Sequence, residues 1–315
     1  MKRGLITWDR AELPMAAFDA RLSALDRLCA DFDVPALVAY SDVCRSNDVR
    51  YVSNFMPYWN RALTVIPRGE KPILLCSLSP RVYPWIKSVT IHETILPSPN
   101  LPAQLMKLCA ERGWGRVGML DLAGLPYDLH TQLVAGNLTF VDIPRGAFRP
   151  AATDAEVAMH RRGAQLARRL LEAELTHAAI GLTDHELTGR IERRLRRAGA
   201  EDVVVLISDG RGAPLPARGN GINENSSASV ALEYNGHWVK LSRNIDNVTA
   251  SLPPRDARQP VHRELLSGRY PWETLADHDN SKNVITSIQV MIQRGENRLY
   301  YGDTGVQGAG GWQLL

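Results

Sequence analysis

The chain has 315 residues, 44% hydrophobic and 23% charged, with a net charge of +3. That length suits two globular domains, and the composition excludes a disordered, fibrous or disulfide-stapled chain. Lys and Arg are spread along the sequence, so nucleic acid is not an expected partner, and no stretch is long and apolar enough to span a membrane.

Cys29, Cys44, Cys76 and Cys109 stand alone, with no CxxC pair and no His at zinc spacing, and read as buried thiols of a reducing compartment. The opening MKRGLITWDRAELP lacks the apolar run of a signal peptide, so a cytoplasmic protein is expected.

In chain order, Phe18, Leu22, Leu25 and Leu28 recur at helical spacing and predict a helix over Ala16–Asp31, followed by a strand at Ala36–Tyr40. Two short apolar runs, Ala62–Ile66 and Ile73–Cys76, flank a Pro/Gly turn and read as a strand pair. Helices are expected at Ser79–Lys87, Leu101–Arg112 and Tyr127–Val134, with strands at Val117–Leu120 and Thr139–Ile143. This alternation is an α/β pattern. PRGAFRPAA, residues 144–152, marks a boundary and divides the chain into domains of residues 1–148 and 149–315.

Thr153 and Thr183 each precede a Glu by three residues, a capping-box spacing that opens a helix to His177 and another over Asp184–Ala198. The run RIERRLRR within the second helix reads as a solvated face. A strand at Val203–Ile207 leads into a Gly/Pro/Asn-rich loop over Ser208–Asn225. Next comes SVALEYNGHWVKLSR, residues 229–243, where Asn235-Gly236 signals a two-residue type I′ hairpin. That turn pairs Tyr234 with His237, Ala231 with Lys240 and Ser229 with Ser242. Ser229, Ala231, Glu233, Trp238, Lys240 and Ser242 then share one face, and Val230, Leu232, Tyr234, His237, Val239 and Leu241 the other. Residues 247–282 are polar and weakly periodic, and strands are expected at Val284–Ile292 and Arg298–Thr304.

The order of TDAEVAMHRRGAQLARRLL, GLTDHELTGRIERRLRRAGAED, EYNGHWVKLSR, ITSIQVMI and YYGDTGVQGAGGWQLL resembles the creatinase, prolidase and aminopeptidase P family. The resemblance implies an α/β creatinase-like N-terminal domain followed by an α+β pita-bread domain with a curved antiparallel sheet. Metal-dependent members hold two cations with two Asp eleven residues apart on this hairpin, one His and two later Glu. The matching positions here are Ser229, Lys240, Gln289 and Gly302, and the family's His-rich stretch has no counterpart around residues 261–277. Creatinase itself lacks the metal and uses a His from the loop that matches residues 210–219, where Ala217 or Arg218 stands here. The chain is therefore identified as a divergent relative without metal ligands or cofactor.

Lys240 and Glu233 are the expected catalytic pair, Lys240 becoming a base or nucleophile if desolvated and Glu233 a general base. The alternative is that the two simply pair and fill the vacated metal space. Ser229, Trp238, Arg218, Gln289 and Asp303 are the expected substrate contacts: Trp238 as a stacking wall, Arg218 with Arg211 as a carboxylate clamp, Asp303 as an acid facing the cavity. Each has a packing or solvated alternative. His237 reads as a core histidine, while His262, Glu273, Asp277 and His278 are possible acid–base groups matching no template. The expected function is metal-independent attack on a C–N bond of a small nitrogen-containing molecule, in a homodimer by analogy. A catalytically inert pita-bread protein that binds a peptide or protein is the alternative, and a metal-dependent Xaa-Pro peptidase the least favoured reading.

Overall fold

The computed structural model describes residues 7–57, 60–144, 147–148, 151–177, 180–245, 261–265, 273–274, 284–308 and 311–315. The chain divides into two compact units between Pro150 and Ala151.

The N-terminal unit carries α1 (Met15–Asp31), β1 (Ala36–Ser41), α2 (Asn47–Ser53), β2 (Ala62–Pro67), β3 (Ile73–Cys76) and α3 (Tyr83–Val89). It continues with β4 (Thr94–Pro97), α4 (Leu101–Glu111), β5 (Arg116–Leu120), α5 (Tyr127–Val134) and β6 (Thr139–Ile143). The strands form one mixed sheet in the order β4-β3-β2-β1-β5-β6. β1 runs antiparallel to β2 and parallel to β5. Its six residues are all buried, as expected of a strand covered on both faces. Leu37 and Ala39 point into one core with α1 and α2, Ala36, Val38 and Tyr40 into another with α4 and α5. α2 and β4 were not apparent in the sequence. α2 has no long amphipathic stripe, and the four residues of β4 gain their ladder only from β3.

The C-terminal unit begins with α6 (Asp154–His177) and α7 (Asp184–Arg197). Both open with the expected capping box: Thr153 N donates to Glu156 Oε2 at 2.8 Å, and Thr183 N to Glu186 Oε2 at 2.9 Å. A sheet follows: β7 (Asp202–Ser208), β8 (Ser227–Tyr234), β9 (His237–Asn244), β10 (Val261–Leu265), β11 (Glu273–Thr274), β12 (Val284–Arg294), β13 (Asn297–Gly308) and β14 (Gly311–Leu314). The strand order is β11-β10-β12-β13-β9-β8-β7, with β14 on β13 and every pair antiparallel. One face packs on the two helices. Ala164, Ala167 and Leu171 of α6 and Leu187, Ile191 and Leu195 of α7 meet Val205, Val230, Leu232, Val239 and Leu241. The arginines between Ile191 and Leu195 lie outside that seam, so Arg193 and Arg194 are exposed.

β10 and β11 lie in the stretch read as weakly periodic; their alternation is too short to show without the neighbouring β12. The rest of residues 247–282 lies outside the described residues. One thiol departs from expectation: Cys44 is exposed, whereas Cys29, Cys76 and Cys109 are buried. Burial pushes the Cys29 and Cys109 thiols up to about 11. Among the described residues no helix is long and apolar enough to cross a membrane.

His92 is fully enclosed, with Thr64 Oγ1 at 3.2 Å and Thr90 Oγ1 at 3.3 Å. Burial pushes its pKa from 6.5 down to about 3. The unfolded chain therefore takes up this proton first as the pH falls, so stability is full above 6.5 and is lost progressively toward 3. Urea unfolding of wild type and His92→Gln from neutral to mildly acidic pH checks this. The acid loss shrinks in the variant; an equal loss in both proteins would show that His92 does not carry it.

Candidate functional site

The hairpin β8–β9 has the expected register: Tyr234 opposite His237, Ala231 opposite Lys240, Ser229 opposite Ser242. Asn235 and Gly236 take φ of 46° and 80°, the left-handed pair that a type I′ turn needs. Glu201 holds the turn by accepting Gly236 N at 3.1 Å.

On the face turned away from the helices, Ser229, Glu233 and Trp238 are buried and Lys240 is half-buried. This face is therefore not the open polar strip that a hairpin end permits. Glu233, only 3% exposed, stands opposite Trp238 on one side and Asp202 on the other. Lys240 lies diagonally across from it, within reach of a long side chain. The Thr304 hydroxyl accepts from Lys240 N at 2.9 Å and donates to Lys240 O at 3.0 Å.

Gln289 joins this face through β13. Gly302 pairs with Ser242 on one side and with Gln289 on the other. Because Gly302 has no Cβ, the Gln289 carboxamide lies directly over it; a methyl group there would overlap the amide. Ser242 Oγ donates to Gln289 Oε1 at 2.6 Å, and Gln289 Nε2 donates to Ser287 Oγ at 2.7 Å. Since the Ser242 proton is spent on Gln289, Ser229 is the donor in the 2.6 Å bond between the two serine hydroxyls. The result is an uncharged chain, Ser229 to Ser242 to Gln289 to Ser287. Ser229, Lys240, Gln289 and Gly302, far apart in sequence, thus meet on one face. His262 stands across the β10–β12 ladder from Gln289, and Glu273 falls on β11. Asp277 and His278 lie outside the described residues. Among the described residues, no three His, Cys, Asp or Glu are placed to share a metal ion.

Two expected members belong elsewhere. Asp303 points to the helix side, fully buried, where it accepts from Arg243 at 3.1 Å and from Arg168 of α6 at 3.0 Å. Next to Gly302 in a strand, it must face the opposite way. Arg218 lies on the helix side too, at a separate cavity of about 300 Å³ walled by the 209–226 loop and the start of α7. Arg211 lines the same cavity. Asp184 anchors its wall: burial acts to raise its carboxyl, but the main-chain N–H groups of Arg218, Gly219 and Asn220 hold it below the usual carboxylate range. The contributions of Ser242, Ser287 and Thr304 went unassigned in the sequence. The hairpin register already placed Ser242 opposite Ser229, which was the available signal; Thr304 had none.

His237 lies on the helix side, its Nδ1 2.9 Å from Asn235 O and its ring edge-on to His160 at 5.0 Å.

No model of a known protein family matches the chain, and no curated protein does. Solved structures do. The Xaa-Pro dipeptidase from Bacillus anthracis superposes with a TM-score of 0.73 at 13% identity, over 94% of this chain and 97% of that one. The prolidase from Pyrococcus furiosus gives 0.69 at 12%, over 93% and 98%. The N-terminal domain of the FACT complex subunit SPT16 from Eremothecium gossypii gives 0.65 at 15%, over 95% of each. The fold is the pita-bread type seen in the prolidases, as the sequence resemblance implied.

Two substitutions probe this geometry. Gly302→Ala expels Gln289 and leaves Ser242 without its acceptor, a loss of about 1–3 kcal/mol by urea unfolding; a change within error would mean that the chain is not a stable element. Asp303→Ala strands buried Arg243 and is expected to cost ~3–5 kcal/mol by the same measurement, and a loss below 1 kcal/mol, about the worth of a surface pair, would place the pair in solvent.

Proposed function

We propose that this protein is a metal-independent member of the creatinase-like group, using the hairpin face to act on a C–N bond of a small nitrogen-containing molecule. The observation that carries this reading is the uncharged chain from Ser229 to Ser287, two of whose members, Ser229 and Gln289, match carboxylate ligands of metal-dependent members in the sequence resemblance. Hard divalent cations take anionic oxygen ligands. Serine hydroxyls, a carboxamide and an ammonium do not fit a dinuclear metal centre, and Gly302 offers no ligand.

Glu233 and Lys240 are the chemical groups of this face. Glu233 takes a proton from the water that adds to the carbon and returns it to the departing nitrogen, while the Lys240 ammonium stabilises the charge that develops on the substrate. Trp238 supplies a flat wall for a planar or cationic group, and Ser229 and Gln289 orient it.

A second reading, binding without turnover, is favoured by one feature: Ser229, Ser242, Gln289 and Ser287 spend hydrogen bonds on one another.

Elemental analysis of the purified protein is expected to find no stoichiometric divalent ion; two tightly held ions per chain would overturn the metal-free reading. For catalysis, a panel of guanidino acids and amides is followed by nitrogen release. Lys240→Ala is expected to lower turnover by ~10²-fold or more while leaving the thermal midpoint nearly unchanged. Saturable binding of a panel member without release would support the second reading against the first.

A further inference from the structure

The cavity on the helix side of β7 has a construction of its own. Ile207 and Leu215 exchange both main-chain hydrogen bonds, at 2.8 and 2.9 Å, so the loop folds back onto the strand. Asp184 N donates to Asn220 O at 2.8 Å, Ile222 N to Leu182 O at 2.7 Å, and Ser208 Oγ to Gly212 O at 2.6 Å. Gly210, at φ 89°, permits a close approach to Asn225 that any Cβ would block. A loop tied at so many points presents preformed walls, which lowers the ordering cost of binding.

The lining is amphipathic. Ile207 and Ile222 are buried at its base, and Leu215 is 43% exposed at its edge, an apolar side chain held at the surface by its bonded backbone. Arg211 and Arg218 are exposed at the same cavity. Two carboxylates oppose them. Asp184 is already engaged, at 2.8 Å by Gly219 N and 3.0 Å by Arg218 N, and sits in the first turn of α7, whose amide dipoles favour its charge. Asp209 gives one oxygen to Arg211 N at 2.9 Å. Asp184 thus spends both oxygens on loop main-chain N–H groups and Asp209 spends one on Arg211 N, while the Arg211 and Arg218 guanidinium groups line the cavity without an ion pair among the described residues and are available to an anion.

We propose that this cavity is a binding site for a small organic acid: a carboxylate held by Arg211 and Arg218, with a short branched apolar body against Leu215 and Ile222. Its volume of about 300 Å³ lies at the lower end of the usual range for ligand pockets. The site is separate from the hairpin face: Ile207 pairs with Ala228, whose side chain points to the helices, while Ser229 points away. The proposal stands whether or not the hairpin face is catalytic.

Isothermal titration with 3-methylbutanoate, 3-methylbutanamide and inorganic phosphate tests it on the full chain. The carboxylate is expected to bind saturably and the amide at least about tenfold more weakly, because only the carboxylate gains charge-assisted bonds to arginine. Arg211→Gln/Arg218→Gln is expected to weaken the carboxylate by about tenfold or more, with an unchanged thermal midpoint, since both side chains are exposed. Leu215→Ser is expected to weaken it less and to leave folding intact. No binding by folded wild type, equal binding of the amide, or unaltered binding by the double variant would overturn the proposal. Phosphate binding as tight as the carboxylate would overturn the assigned ligand class.

Discussion

The sheet of the C-terminal unit depends on a joint that its backbone makes only once. β9 and β13 meet in a single register pair, Ser242 with Gly302. Side chains complete the seam. Arg243, 1% exposed, donates to the carbonyls of Ser242 and Gly302 at 3.0 and 2.8 Å, and to Asp303 and Glu172 at 3.1 and 3.2 Å. On the other face the Thr304 hydroxyl bridges both main-chain groups of Lys240. Burying a guanidinium costs several kcal/mol, and only a full set of acceptors with a paired carboxylate offsets it. Arg168 reinforces the joint by linking Asp303 to the carbonyl of Leu315 at 3.0 Å.

That joint creates the hairpin face. Holding β13 against β9 brings Gly302 beside Ser242, and the missing side chain at Gly302 lets Gln289 reach across to the serine. A glutamate at 302 would compete with Gln289 for one space. Ser229, Gln289 and Gly302 are therefore mutually consistent: two neutral side chains joined through Ser242, and the space that a missing third side chain leaves for them. Hydrogen bonds that close on themselves leave no buried charge to compensate.

The sheet also separates two environments. Residues one step apart along β7 and β8 point to opposite faces, so Ser229 belongs to the hairpin face and Ala228 to the helix side. Asp303 and Arg218, grouped with the hairpin face when read from sequence, both belong to the helix side. For Asp303 the strand alternation next to Gly302 already carries the answer. For Arg218 no local rule could decide, because the loop that carries it has no period. Its position follows from ties to β7 and α7 made by residues distant in sequence.

The sequence by itself determined what rests on local chemistry: the two capped helices, the Asn-Gly turn, and through that turn the register and face of every hairpin residue. The overall order of elements was legible too, because hydrophobic periodicity is set by which faces must be buried. Only the tertiary structure decided what those faces meet. It brought Gln289 and Gly302 to the hairpin, buried Glu233, paired Asp303 with two arginines, recruited β4 and β10 into sheets, and closed the loop around Arg211 and Arg218. Each of these needs a partner supplied by a remote part of the chain, and a strand or a charge without its partner leaves no pattern in its own neighbourhood.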